Sequence, residues 1–236
     1  MAMDGLKLSV RGVCLAVRRQ RILQDITFEV GTGDVVALVG LNGAGKSSLL
    51  SVIAGCRSAD AGEVSLHING VRSTSLDFRS KVAFLPHELL IYPDLTAAEN
   101  LHLTAVLYNS REVDTRVSRA LAAVCLRQAS RVTARTFSRG MLQRLAVARL
   151  MVTGARVWLL DEPMTGLDEP GRHWLKETLG NHKLSGGLVL LSSHVREEVS
   201  DCAARVILLE SGRIALDGAV SSGAVDEAFG RLETQS

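Results

Sequence analysis

Short apolar segments separated by turn-forming residues occupy the first third of the chain. Apolar or alternating runs, the pattern of β-strands, cover residues 6–10, 26–30, 35–39 and 64–68. The sequence GTGD at 31–34 separates the second and third runs, and Asn69 and Gly70 follow the fourth, so both places predict tight turns. This part of the chain is therefore predicted to be rich in β-structure.

Farther along the chain, continuous apolar runs alternate with helical sequence. Such runs cover residues 82–85, 157–160, 188–191 and 206–209, and a turn at 211–213 leads into a last strand at 214–216. Uninterrupted apolar strands flanked by helices are typical of a parallel sheet that is covered on both faces. We therefore predict an α/β fold with a mostly parallel sheet.

Helical patterns occupy two regions. Residues 49–54 carry an apolar helical face that ends near Gly55. Thr96 and Glu99 have the spacing of a capping box, so a helix is predicted to begin at Thr96. From there to about residue 151 the chain is rich in Ala, Leu and Arg, which predicts a mainly helical region. The segment after Gly218 is short and rich in small residues and predicts no particular role.

Composition and charge exclude several classes of protein. Of the 236 residues, 47% are hydrophobic and 22% are charged, which excludes a mainly disordered chain. The 27 Lys and Arg residues nearly balance the 25 Asp and Glu residues, so a dedicated nucleic-acid binder is not indicated. No run approaches the roughly 18 apolar residues of a membrane-spanning helix. The first ten residues lack the apolar segment of a signal peptide.

The cysteines and histidines predict no metal or redox centre. Cys14, Cys56, Cys125 and Cys202 are widely spaced and form no CxxC pair, and the six histidines lack the HExxH pattern. We expect four reduced, mostly buried thiols in a cytosolic protein.

Residues 40–47 match the phosphate-loop pattern GxxxxGK[ST], between a predicted strand and a predicted helix. The glycines let backbone N–H groups turn inward around a β-phosphate, and the positive end of the helix points at the same anion. Lys46 adds a mobile charge for the β- and γ-phosphates, and the Ser47 hydroxyl is a ligand for Mg²⁺. The predicted nucleotide-binding residues are Gly40, Leu41, Asn42, Gly43, Ala44, Gly45, Lys46, Ser47 and Ser48.

Two acidic residues follow the apolar run at 157–160. A buried strand delivers such carboxylates to its C-terminal edge, where open α/β sheets bind ligands. Asp161 is the predicted Mg²⁺ partner, and Glu162 is the predicted catalytic base that orients an attacking water.

Five motifs make the chain resemble the ATP-binding subunits of ABC transporters over residues 6–218. They are GLNGAGKSS at 40–48, FSRGM at 137–141, LLDEP at 159–163, TGLD at 165–168 and LLSSH at 190–194. The resemblance implies the ABC ATPase fold, in which a P-loop NTPase core carries an N-terminal antiparallel β subdomain and an inserted helical subdomain. One nucleotide-binding domain would then span 1–236, with the core and β subdomain at 1–85 and 151–218, the helical signature subdomain at 86–150 and a tail at 219–236.

The resemblance also assigns roles to single residues. The signature motif, which binds the γ-phosphate of the ATP held by a second subunit, would consist of Ser138, Arg139, Gly140 and Met141. Asp168 would be the D-loop residue that links the two sites, and His194 would be the catalytic switch histidine at the γ-phosphate. Since each subunit then holds half of each site, a two-fold dimer is implied, either a homodimer or a heterodimer with a similar subunit.

The sequence departs from the family pattern at four places. Arg139 stands where the signature has Gly, and Met141 stands where it has Gln. His87 occupies the position of the Q-loop glutamine, and we expect it to couple the site to a membrane partner. No aromatic residue lies between 10 and 23 to stack on adenine, so modest nucleotide affinity and weak base selectivity are expected. Adenine would be left to Val17, Arg18 or Arg19.

The motifs YPDLTAAENL and FSRGM are similar to those of exporter subunits. The short tail, the missing aromatic and the TGLD motif are similar to the CcmA family, the ATPases of haem export for cytochrome c maturation. The alternatives are an ATPase of another exporter (drug, lipid or polysaccharide) and, outside transport, an ABC ATPase of an iron–sulfur scaffold or of a nucleic-acid system.

The exporter interpretation implies further partners. The chain would work with a separate transmembrane permease, whose coupling helix would bind a groove supplied by residues 86–150. The resemblance implies ATP and Mg²⁺ as cofactors, no nucleic acid as partner, and a peripheral location at the cytoplasmic face of the inner membrane.

Overall fold

The computed structural model describes residues 5–235, and its strands form two sheets. In chain order the strands are β1 (Leu6–Val17), β2 (Gln20–Gly31), β3 (Val35–Val39), β4 (Ala61–Ile68), β5 (Val71–Arg72), β6 (Val82–Leu85), β7 (Val157–Asp161), β8 (Leu188–Ser192), β9 (Arg205–Glu210) and β10 (Arg213–Ala219). One sheet has the order β2-β1-β4-β5, and the other has the order β10-β9-β3-β8-β7-β6.

The helices lie between and after these strands. They are α1 (Lys46–Ile53), α2 (Ser75–Lys81), α3 (Ala97–Leu107), α4 (Val113–Ala123), α5 (Arg139–Thr153), α6 (Glu169–Leu184), α7 (Arg196–Cys202) and α8 (Ala224–Gln235). Short 3₁₀ turns occur at Arg127–Ala129, Ala134–Thr136 and Val220–Ser222. Within residues 5–235, no helix combines the length and the apolar character that crossing a bilayer requires.

The six-stranded sheet is the centre of the fold. β3 pairs in parallel with β8 and β9, and β7 pairs in parallel with β6 and β8, whereas β10 pairs antiparallel with β9 at the edge. Alternate residues of β3 enter two different cores: Ala37 packs with residues of α5–α8, and Leu38 packs with α1 and the antiparallel sheet. The predicted mostly parallel sheet, covered on both faces, is therefore confirmed.

The four-stranded sheet is antiparallel and is built around β1. β1 pairs with β2 over most of its length and with β4 on its other edge. Both strands run well beyond the predicted segments 6–10 and 26–30, because their ladder continues through register shifts to the turn between them. The predicted turn between β4 and β5 forms at Asn69 and Gly70, which have φ angles of 53° and 80°.

A third core lies in the helical region. α3 begins as predicted: the Thr96 side chain accepts from the Glu99 N–H, and the Glu99 carboxylate accepts from the Thr96 N–H. α3, α4 and α5 pack together around Leu101, Leu121 and Leu145. α5 also contributes Val147 to the core beside the central sheet, so this one helix joins the two regions.

The C-terminal segment, for which the sequence predicts no particular role, is mostly helical. Most of it is α8, and apolar residues along one stripe of this helix are buried against the central sheet: Ala224, Val225, Ala228, Phe229 and Leu232. Their helical spacing is hidden in the sequence because small residues make up much of the stripe. α8 is thus part of the core.

The cysteines correct one prediction. All four are free, as expected, but none is buried: Cys56 and Cys125 are exposed, and Cys14 and Cys202 are half-buried. Cys56 follows the end of α1, and Cys125 has a φ angle of 58° in the turn after α4, so both belong to surface connections. Burial raises the pKa of the Cys202 thiol to about 11.

His182 makes the stability of the fold depend on pH. Its ring stacks on Trp158 with centroids 3.8 Å apart, and burial lowers the pKa of His182 from 6.5 to about 4. The unfolded chain therefore takes up a proton near pH 6.5, whereas the folded chain resists protonation until near pH 4, so stability is lost as the pH falls through this window. Between pH 7.5 and pH 5 we expect His182 to reduce the free energy of unfolding by about 2 kcal/mol.

Urea denaturation at the two pH values measures this loss. The variant His182→Gln should show a smaller difference between pH 7.5 and pH 5, since it has no imidazole to protonate. His173→Gln is the control, because His173 lies exposed on the same helix. An equal pH effect in the wild type and in His182→Gln would contradict the assignment.

Candidate functional site

The glycine-rich loop lies where the sequence predicts it, between the end of β3 and the start of α1. Gly40 has a φ angle of +153°, and a Cβ atom there would lie 2.5 Å from the Leu209 carbonyl oxygen of β9. Gly45 has a φ angle of +108° and approaches the Ile22 carbonyl oxygen of β2 in the same way. Only residues without a side chain fit these two positions, so the loop is held tightly against both sheets.

The start of α1 is open to an anion. Gly45 is its N-cap, and within the described residues no side chain caps this helix end. The side chain of Ser47 is exposed, that of Ser48 is half-buried, and Ala44 is buried beneath the loop. The first N–H groups of a helix have no partner within the helix, so this arrangement presents donors and the positive end of the helix dipole.

Lys46 is held at the loop by two backbone carbonyls. Its Nζ atom donates to the Gly40 carbonyl at 2.7 Å and to the Leu41 carbonyl at 3.2 Å. Burial lowers the pKa of the Lys46 ammonium, while the carboxylates of Glu162 and Asp161 oppose that shift. The ammonium therefore interacts electrostatically with both acidic residues predicted for the site.

Asp161 is fixed by the pairing of two strands. The register of β7 and β8 places Asp161 opposite Ser192, and the Ser192 hydroxyl donates to Asp161 Oδ1 at 2.6 Å. The same hydroxyl accepts from the Glu162 N–H at 2.9 Å. Ser192 thus orients both acidic residues, and only its place in the LLSSH motif marks it in the sequence.

Two histidines flank the Glu162 carboxylate. His194 Nδ1 lies 3.3 Å from Glu162 Oε1, and His87 Nδ1 lies 4.0 Å from Glu162 Oε2. Glu162 itself has a φ angle of 50°, a conformation that is uncommon outside glycine. Backbone strain of this kind is often found at functional sites.

A cleft of about 600 Å³ opens between these groups. Its lining comes from the loop, from the residues after β7 and β8, and from α8, and consists of Gly40, Leu41, Asn42, Glu162, His194, Phe229, Leu232 and Glu233. The sequence analysis missed the α8 residues, because that segment carried no motif.

Gln143 is another residue that the sequence analysis missed. It is buried in α5, and its side-chain amide donates to the Pro163 carbonyl at 2.5 Å. Pro163 directly follows Glu162, so Gln143 links the helix of the FSRGM segment to the acidic site. Its signal in the sequence is weak, since it lies two residues beyond that motif.

The FSRGM segment forms the start of α5. Ser138 is the N-cap, and its hydroxyl accepts from the Met141 N–H at 3.2 Å. The Arg139 side chain is exposed and lies across Gly166, where a Cβ atom would be only 2.5 Å from Arg139 Nε. Asp168 caps α6 by accepting from the Gly171 N–H at 3.0 Å.

These residues line a different cleft. Ser138, Gly140, Met141, Gly166 and Asp168 border an open cleft of about 560 Å³. Among the described residues, it shares no lining residue with the cleft at the glycine-rich loop. The structure brings His87, His194, Glu162, Asp161 and Lys46 together, and it keeps the FSRGM segment and Asp168 apart from them.

The turn between β1 and β2 holds the residues predicted at the adenine position. Val17, Arg18 and Arg19 are exposed, and both arginines have positive φ angles of 49° and 69°. β2 returns from this turn to contact Gly45 through Ile22. The turn therefore leads directly to the loop, and the contact of these residues with adenine stays a prediction.

Comparison with known proteins identifies a family and several relatives of this chain. The ABC transporter family model matches residues 23–165. The SkfA peptide export ATP-binding protein SkfE of Bacillus subtilis is 32% identical over 212 residues, which cover 89% of this chain and 88% of that protein. The cytochrome c biogenesis ATP-binding export protein CcmA of Photobacterium profundum is 35% identical over 191 residues, which cover 75% of this chain and 88% of that protein.

Solved structures have the same fold. A structure of the ATP-binding subunit of an ABC transporter has a TM-score of 0.85 at 29% identity, and the match covers 97% of this chain and 98% of that one. A dimeric post-hydrolysis structure of the ATP-binding cassette MJ0796 with ADP and Pi has a TM-score of 0.78 at 21% identity, and the match covers 90% of this chain and 98% of that one.

Proposed function

We propose, since this chain belongs to the ABC transporter family as an ATP-binding and ATP-hydrolysing subunit, that it drives a membrane exporter built on a separate permease. One observation carries the catalytic part: Glu162, Lys46 and His194 meet at the glycine-rich loop. Export is supported by the names of the relatives SkfE and CcmA.

ATP binds, in this proposal, through the loop of residues 40–48. The backbone N–H groups and the helix end hold the phosphates, and Lys46 exchanges its contacts with Gly40 and Leu41 for phosphate oxygens. Ser47 and Asp161 supply a hydroxyl and a carboxylate, the hard oxygen ligands that suit Mg²⁺, so the donor set fits this ion. When bound, Mg²⁺ would neutralise charge on the phosphates.

Glu162 is proposed to orient the attacking water. Its carboxylate is largely enclosed, with 19% of the side chain exposed, and His194 and His87 approach its two oxygens from different sides. The Glu162 N–H donates to the Ser192 hydroxyl, and this hydrogen bond fixes the orientation of residue 162 after β7. His194 lines the same cleft beside Glu162, and its proposed role is to keep the water and the γ-phosphate aligned.

A two-fold dimer is proposed to complete the site. Ser138, Gly140 and Met141 line a cleft that is separate from the cleft at the glycine-rich loop, so we propose that one chain does not bring both to the same ATP. A second subunit, identical or similar, supplies its own signature segment across the interface. Arg139 and Asp168 lie in or beside that cleft, and we propose that Arg139 contacts phosphate or partner there.

A groove between the central region and the helical region is proposed to bind the permease. It has a volume of about 830 Å³ and includes the exposed side chains of Leu76 and Leu107. Its cations outnumber its carboxylates, with Arg79, Lys81, Arg111 and Arg116 against Asp77. By charge complementarity we propose that the permease segment bound here is a short helix with apolar and acidic residues.

β6 connects this groove to the nucleotide site. Val82, the first residue of β6, lines the groove, and His87 follows the end of the strand beside Glu162. A displacement of β6 by the permease would therefore reach Glu162 through His87. This path supports the proposed coupling role of His87.

Pull-down of the tagged chain from native membranes in mild detergent tests the exporter proposal. We expect a multi-span membrane protein to co-purify, and the variants Arg79→Glu and Arg111→Glu to reduce its recovery severalfold, because each reverses a charge in the groove. Lys183→Glu is the matched control, since this exposed lysine of α6 lies outside the groove.

The identity of the co-purifying proteins decides the substrate class. A cytochrome c maturation permease supports haem export, the activity suggested by the CcmA relatives, and a peptide-export permease supports the alternative suggested by SkfE. Recovery of soluble partners alone would contradict the exporter proposal and favour an iron–sulfur scaffold or a nucleic-acid system.

A further inference from the structure

One wall of the nucleotide cleft is built by α8, which lies far from the motifs in the sequence. Phe229, Leu232 and Glu233 line the cleft together with Glu162 and His194. Phe229 and Leu232 also belong to the apolar stripe that packs into the core beside the central sheet. α8 is therefore a fixed element next to the catalytic groups.

Arg196 joins this wall to the segment that carries His194. Its guanidinium donates to Asp226 Oδ1 at 2.8 Å and to Glu233 Oε1 at 3.3 Å, and it lies 5.5 Å from the centre of the Phe229 ring. Positions 226, 229 and 233 follow the spacing of one helical stripe, so the guanidinium crosses a single face of α8. Two ion pairs and a cation–π contact thus converge on one side chain.

The His194 segment is tied to the central sheet just before His194, where the Ser193 N–H donates to the Leu38 carbonyl of β3 at 3.2 Å. His194 itself has 58% of its side chain exposed and approaches Glu162 Oε1. The hydroxyl of Ser193, the residue before His194, accepts from the Val195 N–H at 3.1 Å and donates to Glu198 Oε2 at 2.5 Å. Both of these side-chain contacts stay within the segment and α7. Arg196, two residues after His194, is the side chain of this segment that reaches α8.

We propose that Arg196 is a positioning residue for hydrolysis, which fixes the His194 segment against α8 so that His194 stays beside Glu162. The inference rests on the proposed roles of Glu162 and His194 in hydrolysis. Arg196 touches neither the phosphate loop nor Glu162 in the structure, so it acts through His194. Arg196 itself does not line the cleft, so nucleotide binding by residues 40–48 should change little when it is removed.

Steady-state ATPase kinetics of matched variants test the proposal. Arg196→Ala should lower kcat about fivefold and leave KM for ATP within twofold, because only the alignment of His194 is lost. Asp226→Asn should lower kcat in the same direction from the other helix, because Asp226 pairs with Arg196 but does not line the cleft. Arg196→Lys should fall between the wild type and Arg196→Ala, since lysine can pair with one carboxylate but lacks the planar fork of arginine.

The control removes an ion pair of α8 that does not reach α7. Arg231 pairs with Glu227 at 2.6 Å on the same helix, so Arg231→Ala should retain the wild-type kcat. In the background of His194→Ala, adding Arg196→Ala should lower kcat no further, because the residue that Arg196 positions is already absent. Tm measured for each variant shows whether folding has changed.

The outcomes separate this inference from the proposed function. If Glu162→Gln abolishes turnover but Arg196→Ala has the wild-type kcat, Arg196 has no positioning role and the proposed function stands. An equal loss in Arg231→Ala, or a raised KM with a lowered Tm in Arg196→Ala, would also overturn the inference, because it would show a general loosening of α8. If the wild-type chain does not hydrolyse ATP, the proposed function itself fails.

Discussion

Replacing Glu162 with glutamine should reduce ATP turnover about 10²- to 10³-fold while nucleotide binding is retained. Glutamine keeps the size and the hydrogen-bonding reach of the side chain but cannot accept a proton from the attacking water. The backbone of residue 162 keeps its setting, since its N–H donates to Ser192 and its φ angle is 50°. The Thr165 hydroxyl, which donates to Glu162 Oε2 at 3.4 Å, can still donate to the amide oxygen of glutamine. The substitution therefore changes the chemistry of the carboxylate and leaves its setting in place.

The second expected effect of Glu162→Gln is a stable dimer with ATP. If hydrolysis is what opens the two-fold dimer, a chain that binds ATP but does not cleave it will accumulate in the closed form. Size-exclusion chromatography with and without ATP measures this change, and phosphate release measures the turnover. The dimer should disappear when ATP is replaced by ADP.

Glu177→Gln is the matched control for this experiment. Glu177 lies on α6 with 64% of its side chain exposed, and its carboxylate is near His173 on the helix surface. Glu177→Gln should hydrolyse ATP at the wild-type rate, and its oligomeric state with and without ATP should match that of the wild type. Wild-type turnover in Glu162→Gln would remove Glu162 from the proposed catalytic role.

The sequence predicts the central sheet well because its signal is local. The strands β3 and β6 match the predicted segments residue for residue, since each is a continuous apolar run with a charged residue before it and a glycine or a proline after it. The Thr96 capping box is equally local, because its two partners lie three residues apart. Such features need no knowledge of the rest of the fold.

Features that depend on the pairing of distant segments are the ones that sequence reasoning missed. Ser192 becomes important because the β7–β8 register places it opposite Asp161, 31 residues away. The role of α8 depends on the sheet against which it packs, and Arg196 contacts it across 30 and 37 residues. No motif records either relation, so only the three-dimensional structure reveals them.

Replacing Lys46 with alanine should weaken ATP binding about 10²-fold and reduce turnover at any ATP concentration. Charge-assisted hydrogen bonds contribute about 1.5–3 kcal/mol each, and Lys46 is expected to donate such bonds to the β- and γ-phosphates. The ammonium is held at the loop by the Gly40 and Leu41 carbonyls at 2.7 and 3.2 Å. On binding, it exchanges these neutral acceptors for anionic phosphate oxygens, and the difference between the two sets of bonds contributes to affinity.

Titration with a fluorescent ATP analogue measures the affinity of each variant for nucleotide. Lys176→Ala is the control, because Lys176 lies half-exposed on α6 and pairs with Asp201. Lys46→Ala should keep a Tm close to that of the wild type. The substitution removes the cost of burying a charge, and this gain offsets the loss of the two hydrogen bonds to the loop carbonyls. A Kd equal to that of the wild type, in a variant that is still folded, would exclude the loop of residues 40–48 as the phosphate site. A joint loss in Lys46→Ala and Lys176→Ala would instead indicate a non-specific effect of charge.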